Sequence, residues 1–328
     1  MIPLCLLAAG VVVAIIAAVS PWPSALLIRA VFEQGAASTV KEMLPYVPDA
    51  PLEEHLDVQY ASGDAGADTT FDVFSPEGTT DALPTVVWIH GGAWISGDKT
   101  NVNPYVKIIA NSGYTTVSLN YTVSPETIYP TAVKQLNEAL AFLVDHAAEY
   151  NIDPDRIVLA GDSAGSNLAS QLAALATNPS YATEMDIAPA LSPEQLRGVI
   201  LNCGIYNVSE IPNAPGIGGW GFRIALWSYF GERDWSNTEA GDEMSTVDYV
   251  TADFPTTWIS GGNGDPLTEG QSKPLAKKLT DLGVDVEAVF YPQDQTPELP
   301  HEYQFHLDFE AAQTALQSTI AYLDRITS

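Results

Sequence analysis

Over most of its length the chain alternates short apolar runs with stretches of helical period. Thr85–Ile89, Arg156–Ala160, Gly198–Cys203, Pro255–Ser260 and Val286–Tyr291 are brief and almost continuously apolar or β-branched. Runs of this kind read as strands buried on both faces, whereas a half-exposed strand would alternate. Between them, Val133–Tyr150 and the Ala-rich Leu168–Ala176 read as helices. Strand and helix patterns exchanging from Thr85 to Ser328 predict an α/β fold with a mostly parallel central sheet and helices on both faces. Leu56–Tyr60 and Thr70–Phe74 read as an antiparallel edge.

The alternation fails in two places. Residues 2–28 carry no charged side chain. The most apolar part, Ile2–Val19, is about 18 residues, or about 27 Å as a helix at 1.5 Å per residue. That approaches the ~30 Å bilayer core, so residues 1–28 are expected to form a membrane anchor or signal-like segment. No basic residue precedes Arg29, unlike an ordinary leader. Ala18-Val19-Ser20 offers small residues for cleavage, but Pro21 follows directly. A cleaved signal and a soluble cap helix are therefore the alternatives. Residues 29–55 are a linker or a contribution to a cap, and residues 56–328 form one domain. The second break, 206–253, is rich in aromatic residues, among them Trp220, Phe222, Trp227, Tyr229, Phe230 and Trp235.

The chemistry concentrates at strand ends. Gly161-Asp162-Ser163-Ala164-Gly165 lies between a predicted strand and a predicted helix. A Gly-x-Ser-x-Gly in that context describes a turn that lifts a nucleophilic serine above the sheet. A plain Gly-rich turn would carry the same string, and a second motif decides against it. His90-Gly91-Gly92-Ala93-Trp94 follows the strand Thr85–Ile89. Such a loop supplies backbone N–H groups for a developing oxyanion. The expected donors are Gly91, Gly92 and Ala164, with His90 and Asp162 supporting the loop. The chain has five histidines. His55 precedes the first predicted strand, His90 belongs to the oxyanion loop and His146 lies in a helix. His301, on a loop after the last strand, is favoured as the base over His306, close to the last helix. An acid is sought between serine and histidine in chain order. Asp265 follows the strand Pro255–Ser260 in a Gly/Pro turn and is favoured over Asp294, on the His301 loop.

The order Ser163, Asp265, His301, with H-G-G-A-W upstream, resembles an α/β-hydrolase of the hormone-sensitive-lipase-like serine carboxylesterase group. Asn120-Tyr121-Thr122-Val123-Ser124-Pro125-Glu126 and Asn151–Ile157 resemble two further segments of that group. The chain departs from the pattern at Thr122, at Ser166, at Glu302-Tyr303 after the histidine, and in the acidic loop from Gln293 to Pro300. The likeness implies an α/β-hydrolase fold with a helical cap inserted at about 206–253. It also implies hydrolysis of a small-molecule ester through an acyl-enzyme. Trp94, Trp220, Phe222 and Trp227 are candidates to line the substrate pocket, unless these rings form the cap's own core.

Composition sharpens this in three ways. The net charge of −28 comes from 41 acidic and only 13 basic residues, which disfavours nucleic acid as a partner. Partnership with a membrane is expected only through the N-terminal segment. Two cysteines, Cys5 and Cys203, suggest neither a disulfide framework nor a metal site. No phosphate-binding glycine loop is present, so no cofactor is expected. An amidase or peptidase with the same three residues is the main alternative. A non-enzymatic binding protein would be expected to have lost one of them.

Overall fold

The structure, a computed structural model, describes residues 16–61, 68–213 and 216–328. Its centre is an eight-stranded sheet in the order β1-β2-β4-β3-β5-β6-β7-β8. The strands are β1 (Leu52–Gln59), β2 (Thr70–Pro76), β3 (Leu83–Ile89), β4 (Thr115–Leu119), β5 (Ile152–Asp162), β6 (Leu196–Asn202), β7 (Thr257–Gly261) and β8 (Val286–Phe290). β2 pairs antiparallel with β1 and β4. The pairings from β4 to β8 are parallel. His55 lies within β1, which begins earlier than the sequence suggests.

Successive side chains of a strand point to opposite faces, and here both faces are dry. Val87, Ile89, Leu159 and Leu201 join one core. It is covered by α3 (Thr131–Asp145), α4 (Ala164–Thr177) and α8 (Lys273–Asp281). Val86, Trp88, Val158 and Ile200 join the other, under α2 (Asn103–Ala110) and α9 (Glu310–Thr327). This explains why the central strands read as unbroken apolar runs.

A third, small core couples two helices above the sheet. Ala25 and Ile28 of α1 (Trp22–Met43) meet Ala225 of α6 (Gly216–Phe230) over Ala93 and Ile95. Arg29 pins α1 down. Its guanidinium donates to Ile95 O and Ser124 O and grips both oxygens of Glu126. Residues 22–28 thus belong to a helix roofing the strand ends of the sheet, and the expected anchor shrinks accordingly. Residues 1–15 of that segment lie outside the described residues. Among the described residues, no helix is long and apolar enough to cross a membrane. The 206–253 stretch contains α6 and the short α7 (Glu239–Met244); α5 (Pro179–Glu184) precedes it. Gly216–Gly221 forms the first turns of α6.

Candidate active site

The site lies at the carboxyl ends of β3, β5, β7 and β8, where ligands of open α/β sheets bind. β5 ends at Asp162, α4 starts at Ala164, and Ser163 makes the turn alone, with φ 51° and ψ −116°. An L-residue with positive φ is strained, and the turn closes only because its neighbours are small. A Cβ on Gly161 would come within 2.5 Å of the Gly165 backbone, and one on Gly165 within 2.0 Å of Ile89 O. Ser166 fits here by donating to Gly161 O and Asn202 O.

Ser163 Oγ is 2.9 Å from His301 Nε2, and His301 Nδ1 is 3.0 Å from Asp265 Oδ2. A carboxylate only accepts, so Nδ1 carries the hydrogen and Nε2 is left to accept from the serine. Asp265 Oδ1 takes the Leu267 N–H at 2.9 Å, which fixes the carboxylate plane. The acid and base loops are stitched together: Gly264 N–H donates to Leu299 O, and Leu299 N–H to Asn263 Oδ1. His306 instead pairs with Glu42 at 3.1 Å, and Asp294 is exposed.

Burial opposes charge on the His301 imidazole. The acidic groups beside it, Cys203 and Asp265, outweigh burial and hold it well above the ordinary histidine value. Burial pushes the Cys203 thiol itself up to about 11, so near neutrality the acting charge is the Asp265 carboxylate. Cys203, Asp265 and His301 have donor atoms within 4.8 Å of one another, the one such trio among the described residues. A thiol held protonated is a poor metal ligand, and the other two groups already engage each other.

The oxyanion loop differs from expectation at one position. Gly91 N–H donates to Asp162 Oδ2 at 2.8 Å. It is committed, and Gly91 is removed from the set of oxyanion donors. The N–H groups of Gly92, Ala93 and Ala164 have no partner among the described residues. Ala93, at φ 52°, presents an unpartnered N–H not expected from sequence; only its place after two glycines hints at it. His90 buttresses the loop: Nδ1–H donates to Gly91 O, and the ring stacks on Tyr121. Burial lowers its pKa, so it is neutral. Trp88 Nε1–H donates to Asp162 Oδ1 at 2.7 Å.

A cavity of about 430 Å³ opens above Ser163. Phe222 is the one predicted aromatic that lines it. Trp94 is fully buried and stacks on Tyr229 at 5.3 Å. Trp227 is buried beneath the Arg233 guanidinium, and Trp220 faces solvent. These three rings are absent from the wall because they build the cap's core or its outer surface. Val31, Phe32, Gly35, Ala36 and Thr39 of α1 supply one side of the wall. These residues fall in the segment 29–55, read from sequence as a linker or a contribution to a cap and not assigned to the cavity.

The sequence model of the BD-FAE family matches residues 71–279. The esterase LipQ of Mycobacterium tuberculosis is 27% identical over 251 residues, covering 73% of this chain and 56% of LipQ. The carboxylesterase NlhH of the same species is 36% identical over 131 residues, 40% of each chain. The chain thus spans about half the length of these mycobacterial relatives or less. Esterase B of Lactobacillus rhamnosis superposes with a TM-score of 0.79 at 21% identity, covering 93% of this chain and 96% of that one. A family match over well over half of the sequence, on an α/β-hydrolase fold, means that the chain belongs to the BD-FAE family.

Proposed function

We propose that Ser163 is the nucleophile, His301 the general base and acid, and Asp265 the group that orients it. The observation that carries this is the unbroken Asp265–His301–Ser163 relay beneath a cavity edged by three unpartnered N–H groups. Ser163 Oγ attacks the ester carbonyl while Nε2 takes its proton. The carbonyl oxygen becomes an oxyanion facing Gly92, Ala93 and Ala164. His301 then protonates the leaving alcohol, and water repeats the sequence on the acyl-enzyme. The apolar wall of α1 favours esters with a short aliphatic or aromatic acyl group. The experiment is hydrolysis of chromogenic esters from acetyl to lauroyl, with matched anilides, by the parent and Ser163→Ala. The expected result is a preference for short acyl esters, anilides cleaved far more slowly, and loss of activity in the variant. An active Ser163→Ala enzyme contradicts the assignment.

We also propose that the N-terminal segment holds the enzyme at a membrane. Support comes from the uncharged Ile2–Val19 run and from exposed apolar residues on the two roofing helices: Trp22, Leu27 and Val31 on α1, Ile217 and Trp220 on α6. Removing residues 2–19 should move activity from the membrane pellet to the supernatant; an unchanged distribution contradicts anchoring.

A further inference from the structure

His301 is followed by a residue in an unexpected conformation. Glu302 has φ 58° and ψ 31°, the left-handed region that favours glycine. A non-glycine held there points to a side chain with a task. The side chain reaches back over the oxyanion loop. A Cβ built on Gly91 would lie 2.4 Å from Asp162 Oδ2 and 2.9 Å from Glu302 Oε1, so the two carboxyls flank one point. They are within hydrogen-bonding reach of each other. Glu302 Oε1 also stands 3.8 Å from His301 Nε2. Two carboxyl groups in contact bond only if a proton lies between them.

We propose that Glu302 is a positioning residue: it shares one proton with Asp162, and this acid pair latches the His301 loop to the oxyanion loop. The inference rests on the role of Ser163 proposed above and adds to it. Asp162 is the fixed half, since its oxygens already accept from Trp88 Nε1–H and Gly91 N–H. Through Gly91 it sets where the Gly92 and Ala93 donors stand. Glu302 is the mobile half, joined directly to the base. Burial, then the Glu302 charge, holds the Asp162 carboxyl well above the usual carboxylate range, consistent with a retained proton.

The other titratable groups around the pair are His301 and Cys203 beside Glu302, and Tyr121 near Asp162. The Glu42–His306 pair stands on the cavity wall side. Burial holds Cys203 at about 11 and Tyr121 well above its ordinary 10. A loss of activity as pH rises, short of the ionisation of those two groups, therefore belongs to the pair. Losing its proton sets two negative charges against each other beside the oxyanion donors. The latch opens and the oxyanion is opposed.

The test compares the parent, Glu302→Gly and Glu302→Gln. Glycine suits the backbone and removes the latch; the Gln amide donates to Asp162 without titrating. Each enzyme is measured as kcat and KM against pH, with active sites counted by fluorophosphonate labelling of Ser163 and folding checked by Tm. Glu302→Gly should lose at least about tenfold in kcat with KM within about twofold. Glu302→Gln should recover most of that loss and lack the parent's falling alkaline limb. An alkaline limb retained in Glu302→Gln, or a Glu302→Gly enzyme with parental kcat per labelled site, overturns the latch. A parent that takes no label fails the Ser163 assignment instead, and the two failures are distinct.

Discussion

His301 carries the clearest choice at the scale of single residues, because the sequence offers a neighbour five positions on. His306 is bound to Glu42 of α1 and has no path to Ser163. His301→Ala should lose on the order of 10⁴-fold in kcat, and adding Ser163→Ala should cost nothing more, since the groups act as one unit. His306→Ala should stay within a few fold. Asp265→Asn should lose on the order of 10³-fold or more with little change in Tm, because the amide supports the wrong imidazole tautomer; Asp294→Asn should match the parent. The reverse ranking in either pair would move the site. The pH dependence follows from the same contacts. The neutral imidazole is the base, and its pKa is raised, so activity climbs with pH through a value above the ordinary 6.5. The responsible charge is a buried carboxylate at 3.0 Å, where salt screens weakly. In kcat/KM profiles at two ionic strengths the acid limb should lie above 6.5 and barely move; a limb below 6.5 contradicts the Asp265 contact.

Among the elements, the strands were legible and the roof was not. β3, β5, β6 and β7 announce themselves because both faces are apolar, and Ser163, Asp265 and His301 follow strand ends in chain order. What the sequence conceals is set by tertiary contact. α1 packs few side chains deeply, chiefly Ala25, Ile28 and Met43, so its apolar residues give no helical stripe and resemble a lipid-facing segment. Trp94 and Trp227 are large and aromatic, as substrate contacts often are; Trp94 stacks on Tyr229 and Trp227 lies beneath Arg233 instead. Gly91 is indistinguishable from Gly92 until Asp162 claims its N–H. One element contact invites a stability test. Lys99, after β3, is buried with its ammonium 2.7 Å from Asp72 of β2 and 2.6 Å from Asp57. Lys99→Met leaves Asp72 buried and uncompensated, which should cost about 3–5 kcal/mol. Adding Asp72→Asn should restore part of it. Urea denaturation of the three proteins checks this, and full stability of Lys99→Met contradicts it.

For the whole molecule, the scarcity of bases matters more than the number of acids. Arg29, Lys99, Lys107, Arg156, Lys273 and Arg325 all sit in ion pairs, yet the net charge stays at −28. Self-repulsion then opposes compactness, and salt should relieve it. Raising NaCl from ~0.05 M to ~0.5 M should lift Tm by a few degrees; a flat or falling Tm contradicts this. The acidic surface surrounds a largely apolar cavity, so it bears on stability and on charged substrates rather than on the bond broken. The central claim is that one serine, lifted above the sheet by a strained turn, forms the covalent intermediate. The most direct measurement is reaction with a fluorophosphonate followed by mapping of the modified peptide by mass spectrometry. Stoichiometric labelling at Ser163, with activity lost in parallel and no labelling of His301→Ala at the same rate, is the predicted result. Labelling elsewhere, or an enzyme that keeps its activity once Ser163 is modified, would contradict the account.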